Sequence, residues 1–377
     1  MQIFVASGIF HPESGGPATY LYRLLPELQA RGHEVRVLTF GEASTNKYPY
    51  PLTRIPRRLL PRRMAHYAQA AWSEIRRADV IFINSLGLPL IGARSKPCLL
   101  KVVGDLAWER AVNKGWIPPT EDIDTFQSRH YHLRVRMVQA QRAREVRHMD
   151  RIIVPSEYLR RMVIGWGAPP DCVQVIYNAL PPDAHTVSIS PAEARTQLGL
   201  EAGPLLLTSA RLTPWKGIDH LIRAVGQVSD VQLLVAGDGP DEPRLRGLVE
   251  SEGITNRVTF LGRVARDRLA LYFRAADFTA LYSGYEGLSH VLLESLLAGT
   301  PVIASNKGGN PEVVRHGENG LLVPYPDTDA LISTICEAFS GDLRARLAAH
   351  TGEGLERFRW DTLVDQTIAV LEDVCGS

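Results

Sequence analysis

Two glutamates, Glu286 and Glu294, are candidates for chemistry because seven residues separate them in the segment YEGLSHVLLESLLAG. Paired carboxylates are typical of glycoside hydrolysis. If both were helical, their backbones would lie roughly 12 Å apart at a rise of about 1.5 Å per residue. Hydrolases place their two carboxyl groups roughly 5 to 9.5 Å apart. The spacing therefore argues against an acid/base pair.

A glycine next to the first glutamate suggests a different division of labour. Gly287 indicates that Glu286 lies in a loop and that a helix begins near Leu288 or Ser289, with Glu294 two turns in. A helix N-terminus offers free amides and a positive dipole end to a diphosphate. The loop carboxylate can then accept hydrogen bonds from sugar hydroxyls, while the helical one takes a ribose diol. The alternative is an amphipathic helix with one buried glutamate, which is costly without a partner.

Two further loops carry residue types that bind anions. Arg211 and Lys216 lie in RLTPWKG, directly after the apolar run LLLTSA, where two fixed cations could neutralise a leaving diphosphate. Gly15 and Gly16 precede a helical pattern from residue 18 to 30 and leave bare amides at its start. Each has an ordinary alternative, since surface cations are mostly solvated and paired glycines mostly serve turns.

The elements that must position these loops alternate regularly. Short apolar runs recur at helix-length intervals, and this pattern predicts parallel sheets covered by helices on both faces. Ligands of such sheets lie beyond the carboxyl ends of the strands, where the candidate residues stand. The runs are QIFVAS, EVRVLTF, DVIFIN, CLLKVV and RIIVP in the first half, and LLLTSA, VQLLVAG, RVTFLG, DFTALY and PVIAS in the second.

The chain of 377 residues is long for a single hydrophobic core, and its amino-acid composition changes at NALPPDAHTVSISP. Prolines and small polar residues there resist regular structure. We therefore predict two doubly wound domains, an N-terminal one over residues 1–180 and a C-terminal one over residues 181–359. The last helical stretch, residues 360–377, is long enough to return to the first domain and complete it.

Composition limits the function classes. The first residues lack the pattern of a secretory signal, no run of apolar residues is long enough to span a membrane, and the four cysteines are scattered without a CxxC pair. We therefore expect a cytoplasmic protein. Net charge is +1, but residues 1–180 hold 25 Lys+Arg against 15 Asp+Glu, leaving 17 against 26 for the rest. The basic half could attract phosphate or the inner face of an anionic membrane, or it could be a solvated surface. No nucleic-acid partner is expected.

Together the motifs resemble those of the family 4 glycosyltransferases of GT-B fold, whose hallmark is a segment of Glu, seven residues and Glu. The resemblance covers nearly the whole chain and implies two Rossmann-like domains with a deep interdomain cleft, of which the N-terminal one binds the acceptor and the C-terminal one the donor. It also implies retention of anomeric configuration without a metal, and a nucleotide diphosphate sugar as donor. The matching segments, in family order, are ESGGPATY (13–20), RLTPWKG (211–217), VAGDGP (235–240), VTFLGRV (258–264), Glu286 to Glu294, PVIASNKGGNPEVV (301–314) and HGENGLLV (316–323).

The resemblance assigns roles residue by residue. Arg211 and Lys216 would bind the diphosphate and Glu286 the donor sugar. Glu294 would grip the ribose. The remaining donor-binding residues would act largely through backbone: Gly15 and Gly16 towards the diphosphate, Gly239 in the nucleotide pocket, Arg263 and Val264 at the base, and the amides of Leu288, Ser289, His290 and Val291 at the phosphates and sugar.

One departure from the family stands in the first domain. Many relatives have a histidine after the fourth strand, whereas this chain reads KVVGDLAWER. We predict that Asp105 takes over a catalytic contact with sugar or acceptor, with a helix cap as the alternative. A second departure is His290, where relatives frequently carry Asn.

The expected reaction is hexosyl or N-acetylhexosaminyl transfer from a UDP- or GDP-linked sugar to a hydroxyl, in polysaccharide, glycolipid or natural-product biosynthesis. The cations would stabilise the leaving diphosphate in place of a metal. The acceptor stays open between a saccharide, a lipid-linked sugar and a small molecule. A GT-B nucleotide-sugar epimerase and an inactive nucleotide-sugar-binding partner subunit are the alternatives.

Overall fold

The computed structural model describes residues 1–13, 15–57, 59–180, 184 and 187–376. Part of the predicted interdomain segment, residues 181–183, 185 and 186, lies outside the described residues. The chain forms two compact units. Unit 1 comprises Met1–Ile117, Gln127–Tyr177 and the chain from Asp361 onward, and unit 2 comprises Pro118–Phe126 and Asn178–Trp360.

Unit 1 is built on a seven-stranded parallel sheet in the order β3-β2-β1-β4-β5-β6-β7. Its strands are β1 Gln2–Ser7, β2 Glu34–Phe40, β3 Leu52–Ile55, β4 Val80–Ile83, β5 Cys98–Lys101, β6 Arg151–Val154 and β7 Val173–Val175. Its helices are α1 Gly16–Ala30, α2 Leu60–Arg77, α3 Leu106–Asn113, α5 Leu133–Val146 and α6 Glu157–Gly165, while α4, Ile123–Ser128, crosses the limit between the units.

Unit 2 has a six-stranded parallel sheet in the order β10-β9-β8-β11-β12-β13. Its strands are β8 Leu205–Ser209, β9 Gln232–Ala236, β10 Val258–Gly262, β11 Phe278–Leu281, β12 Val302–Ser305 and β13 Gly320–Val323. Its helices are α7 Pro191–Leu198, α8 Ile218–Gln227, α9 Glu242–Ser251, α10 Arg266–Ala275, α11 His290–Leu297, α12 Thr328–Ala338 and α13 Leu343–Ala349. The predicted doubly wound α/β class is confirmed.

Uninterrupted apolar strands form because both faces of the unit 2 sheet are covered. Successive side chains of a strand point to opposite faces. Leu206 packs into one core cluster, whereas its neighbours Leu205 and Leu207 pack into the other, and all three are fully or almost fully buried. Burial of each such side chain contributes roughly 1.5 to 3 kcal/mol. The sheet is thereby fixed as the platform for the loops at its carboxyl edge.

Three connections depart from the predicted strand and helix alternation, and in the first the chain runs from β2 to β3, a strand that was not predicted, without a helix. Between β4 and β5 the structure has only a three-residue 3₁₀ turn, Ala93–Ser95, instead of a crossover helix. After β12 the chain forms a second 3₁₀ turn, Asn310–Glu312, and enters β13 directly. The prolines and glycines in the last two connections, PLIG and GGNP, explain why no α-helix forms there.

The C-terminal helix α14, Trp360–Gly376, packs with unit 1. Its buried residues include Val364 and Leu371. Asp365 pairs with Arg31 at 2.6 Å, and Asp373 pairs with Arg151 at 2.7 Å. Within the described part of the chain, no helix is both long enough and apolar enough to cross a membrane.

Candidate functional site

The polar residues predicted for the second half of the chain gather at one edge of the unit 2 sheet. β8 and β11 are neighbours, and from them the chain proceeds in opposite directions, through β9 and β10 on one side and through β12 and β13 on the other. Ligands of open parallel sheets bind beyond the carboxyl ends of strands at such a reversal. Lys216 follows β8 and Glu286 follows β11, so both stand at the reversal point.

These two side chains are in direct contact. Lys216 Nζ lies 2.6 Å from Glu286 Oε1, and the side chains are 19% and 11% exposed. Partial burial makes such an ion pair stronger than one on an open surface. The structure therefore holds a cation and a carboxylate side by side, each with a different preference among the groups of a phosphorylated sugar.

Backbone contacts between the two loops set this geometry. Gly217 adopts a left-handed φ of 61°, and a Cβ atom there would lie 2.0 Å from the carbonyl oxygen of Tyr282. The Gly284 amide donates to the Trp215 carbonyl at 2.8 Å. A glycine at 217 is thus needed both for its dihedral angle and for the close approach of the loop that carries Lys216.

A third loop, the one after β12, contacts the backbone of Glu286. Gly308, at φ +62°, and Gly309 follow β12, and a Cβ atom on either would lie within 2.2 Å of a carbonyl oxygen, that of Glu286 or Gly287. The Gly309 amide donates to the Glu286 carbonyl at 2.9 Å. The glycine pair of the NKGGNPE segment therefore positions the carboxylate through its backbone.

The start of α11 lies close to Glu286 in the chain and has no side-chain cap. Ser289 is the residue before the helix, and its side chain makes no capping hydrogen bond. Leu288 and Ser289 are buried, His290 is exposed and Val291 packs against the core. Amides at an uncapped helix start can bind phosphate oxygens. Glu294 lies on the same helix and is half-buried.

Arg211 also follows β8 but differs from Lys216 in its surroundings. It is exposed and makes no ion pair within the described residues. Leu212, the next residue, donates its amide to the Asp238 carbonyl at 2.9 Å, which joins the loop after β8 to the loop after β9. An exposed guanidinium on an anchored loop can form bidentate contacts with a phosphate.

The residues predicted for the nucleotide pocket follow the two strands on one side of β8: Gly239 follows β9, and Arg263 and Val264 follow β10. A Cβ atom on Gly239 would lie 2.2 Å from the Leu212 carbonyl, so this glycine serves the contact between two loops. Arg263 Nε lies 3.1 Å from Asp238 Oδ2, and its side chain is 70% exposed. Val264 packs on the same core cluster as Val291 of α11.

The other predicted site residues belong to unit 1. Gly15 has φ 153° and precedes α1, whose first residue is Gly16. Among the described residues, no side chain caps α1, and a Cβ atom on Gly16 would meet nothing within 4 Å. Binding of a diphosphate by these glycine amides stays a prediction.

Asp105 has a structural position rather than the catalytic one expected from the sequence. It is fully buried, and its Oδ1 accepts hydrogen bonds from the amides of Ala107 and Trp108 at 2.9 and 3.2 Å, which caps α3. Its Oδ2 pairs with Arg142 and accepts from Gln127 at 3.0 Å. The carboxylate leaves no exposed atom for a substrate, so the helix-cap alternative describes it better.

Arg142 extends this buried network. Its guanidinium lies 4.1 Å from the Trp166 ring centroid, and the Trp166 indole donates to Gln127 at 2.8 Å. Burial lowers the pKa of Arg142, while Asp105 opposes that shift. Removing one partner of such a buried pair costs roughly 3 to 5 kcal/mol.

Sequence reasoning missed two lysines. Lys307 Nζ contacts Asp122 at 3.0 Å and Asp124 at 3.2 Å, which ties the segment 118–126 to the rest of unit 2 beside the glycine pair. Lys101, at the end of β5, is 3% exposed; its Nζ has no hydrogen-bond partner in the described part of the chain and lies 4.1 Å from the Tyr20 ring centroid. Two features of the sequence could have indicated them: Lys307 directly precedes GGN, and Lys101 stands at the end of the apolar run CLL.

Metal ligands do not gather in the described part of the chain: no group of three or more His, Cys, Asp or Glu side chains could hold an ion there. The four cysteines are free. Burial raises the pKa of the Cys98 thiol to about 12, which keeps it protonated.

Comparison with solved structures identifies proteins of the same fold. Sucrose-phosphate synthase from Thermosynechococcus elongatus superposes with a TM-score of 0.81 at 24% identity, covering 99% of this chain and 98% of that one. HepE from Anabaena, in complex with UDP-glucose, gives 0.78 at 23% identity, covering 99% and 100%. The fold is therefore of the GT-B class.

Sequence profiles identify the family. A profile described as group 1 glycosyl transferases matches residues 192–353, and one described as glycosyltransferase family 4 matches residues 14–184. A D-inositol 3-phosphate glycosyltransferase from Acidothermus cellulolyticus is 36% identical over 232 residues, 57% of this chain and 51% of that protein. The chain belongs to the family 4, group 1 glycosyltransferases. It spans about half the length of the curated relatives it matches.

Proposed function

We propose that this protein transfers a hexosyl or N-acetylhexosaminyl group from a nucleotide diphosphate sugar to a hydroxyl acceptor, with retention of anomeric configuration. The observation that carries the proposal is the contact between Lys216 and Glu286 at 2.6 Å, beside the uncapped start of α11. A cation, a carboxylate and a helix start without a side-chain cap at one strand-end reversal suit a diphosphate joined to a sugar. The solved relative in complex with UDP-glucose supports the same class of donor.

Each group has a role in the proposed reaction. Lys216 and Arg211 bind the diphosphate and stabilise its charge as the glycosidic bond breaks. Glu286 accepts hydrogen bonds from the sugar hydroxyls, and Glu294 accepts them from the ribose diol. The acceptor attacks from the face that the diphosphate leaves, and a donor phosphate oxygen takes its proton. No side chain has to act as nucleophile.

A thermal-shift screen tests the donor site. We expect one of the UDP-, GDP- or ADP-linked sugars to raise the melting temperature in a concentration-dependent way. Glu294→Ala should weaken that effect, because the ribose diol loses its acceptor. Glu337→Ala, an exposed glutamate on α12, is the matched control and should bind as the wild type does. Equal binding by both variants would contradict the assignment of Glu294.

The cations of the site lead us to propose that no metal is needed for transfer. Turnover with the donor identified in the screen should be unchanged after dialysis against EDTA. A loss that added Mg²⁺ or Mn²⁺ restores would refute this part of the proposal.

The same binding arrangement would serve a nucleotide-sugar epimerase. Incubation with donor alone separates the two activities, since an epimerase interconverts its sugar without an acceptor. An inactive binding subunit would produce neither transfer nor donor hydrolysis, whereas the proposed enzyme should hydrolyse donor slowly and lose this activity in Lys216→Ala.

For the acceptor we propose an anionic or membrane-bound molecule. The excess of 25 Lys+Arg over 15 Asp+Glu in residues 1–180 favours a phosphorylated partner. The relative named for D-inositol 3-phosphate supports the same chemistry. Transfer assays should compare phosphorylated with neutral polyols, and a preference for the neutral compound would overturn this choice.

A further inference from the structure

The missing helix between β4 and β5 leaves a cavity in unit 1. In a doubly wound fold a crossover helix would cover this part of the sheet. Here the chain from residue 84 to 97 passes over it with only one 3₁₀ turn. The cavity has a volume of about 510 Å³ and lies between Ile83 and Leu100 of the two strands, the loop 86–94 and the last turns of α5.

Contacts at two points of the loop hold this cavity open. Glu145 of α5 accepts the Gly87 amide at 2.7 Å and the Gln141 side-chain amide at 2.9 Å. At the other end Gly92, with φ +87°, approaches the Trp72 ring so closely that a Cβ atom would lie 2.8 Å from it. The outer wall is therefore fixed by α5 on one side and α2 on the other.

Apolar side chains form most of the cavity wall. Leu86, Leu90, Ile91 and Met149 line it together with the strand residues. Small-ligand sites have volumes of roughly 300 to 1,000 Å³, whereas an α-helix about 10 Å across fills roughly 400 Å³ per turn. The space suits one flexible apolar chain and is too small for a partner helix.

The charged groups at the cavity are mainly basic. Arg94, Arg144 and His148 line it and are exposed. Glu145 is the acidic residue of the lining, and its two oxygens already accept hydrogen bonds. An apolar space with cations at its edge complements an apolar chain that ends in an anion.

The surface of α5 extends this apolar character. Leu133 and Met137 are 69% and 63% exposed and precede Gln141 and Glu145 at intervals of four residues, so they lie on the helix face that borders the cavity. Ile91 is 65% exposed on the loop. Among the described residues, the large hydrophobic side chains that are exposed belong to unit 1.

We propose that this cavity binds the aliphatic chain of a single-chain amphiphile whose anionic head contacts Arg94 and Arg144. This site lies in unit 1 and is separate from the donor site of unit 2. It shares with the proposed function the expectation of an anionic partner, but its test uses binding in the absence of donor. Either proposal can therefore fail without the other.

Calorimetric titration of the full chain with monomeric dodecyl phosphate tests the site. We expect saturable binding, at least about tenfold tighter than that of dodecyltrimethylammonium, which has the same chain and the opposite charge. Inorganic phosphate should bind far more weakly than either. Ala93→Phe, which fills the cavity, should abolish binding. Arg144→Glu should weaken it about tenfold, while Arg134→Glu, an exposed change on the same helix, should leave it unaltered.

Several outcomes would overturn the inference. Unchanged binding in Arg144→Glu is decisive, because this exposed side chain can be changed without loss of the fold even if Ala93→Phe does not fold. Equal affinity for the anionic and cationic probes would remove the charge argument. Sedimentation that reveals a dimer lost in Ala93→Phe would assign the cavity to a second copy of the chain. Binding of vesicles but not of the monomeric probe would assign it to a membrane surface.

Discussion

At the scale of single residues, the contact between Lys216 and Glu286 explains why the two motifs that carry them occur together. Each charge stabilises the other before a ligand arrives, since both side chains are largely buried. A diphosphate sugar would replace this mutual contact by one between lysine and phosphate and one between glutamate and hydroxyls. Both side chains are therefore positioned before a ligand binds, and neither buried charge is left unpaired.

Lys216→Ala should lower kcat by about 10²- to 10³-fold, because a preorganised charge acts most strongly on the transition state. Steady-state kinetics with the donor found in the thermal-shift screen measure this. Arg268→Ala removes an exposed cation from α10 and serves as the control. A near-normal kcat for Lys216→Ala would remove this lysine from the proposed mechanism.

Lys101 offers a prediction about stability. Burial lowers its pKa to about 7, compared with about 10.4 in an unfolded chain. Between these values the unfolded chain binds more protons, so this group makes stability rise with pH by up to about 1.4 kcal/mol per pH unit. Below about pH 7 Lys101 is protonated in both the folded and the unfolded chain, and the cost of burying its charge lowers the folding stability in full.

Lys101→Met should therefore stabilise the protein most at and below about pH 7, and its advantage should shrink towards pH 10. Urea unfolding across this pH range measures the difference. Lys114→Met, an exposed lysine, is the matched control and should follow the wild type. A constant difference at every pH would show that Lys101 is charged in the folded protein.

At the scale of elements, the loops after β8, β11 and β12 act as one backbone assembly. Gly217 and Gly308 both have left-handed dihedral angles and both lie against a carbonyl of the β11 loop. Their role is to bring a lysine and a glutamate from separate motifs to one place. This explains how a glycine with no functional group can matter to the site.

Gly308→Ala tests that role, because its Cβ would lie 2.1 Å from the Glu286 carbonyl. We expect kcat/KM to fall about 10²-fold, the size of effect produced by a displacement of about 1 Å in an active site. Gly317→Ala is the matched control, since Gly317 also has a positive φ, of 80°, but has open space around its added methyl group. Similar losses in both variants would attribute the effect to backbone strain alone.

At the scale of the whole molecule, the excess of positive charge lies in the first half of the chain, as do the exposed large hydrophobic side chains of the described residues. We predict that the protein floats with vesicles of anionic lipid but not with zwitterionic vesicles. The association should weaken as salt rises, because a Debye length of about 10 Å at 0.1 M limits surface attraction. Flotation at two salt concentrations measures this, and equal association with both vesicle types would contradict it.

The fold class and the loops that carry Lys216 and Glu286 could be predicted from the sequence, because they depend on local pattern. Apolar runs such as LLLTSA predict buried parallel strands, and glycines beside Glu286 and Lys216 mark the loops that follow them. Family resemblance added roles to these residues. None of this required knowledge of which strands are neighbours.

Only the tertiary structure decided which side chains meet. Asp105 looked available in the sequence, but it is buried because Arg142 and Gln127, far along the chain, come to its carboxylate. The cavity over β4 and β5 also could not be predicted from the sequence, since it depends on a helix that does not form and on walls supplied by the loop 86–94 and by α5. Local pattern determines elements, whereas burial and pairing arise from contacts between distant segments.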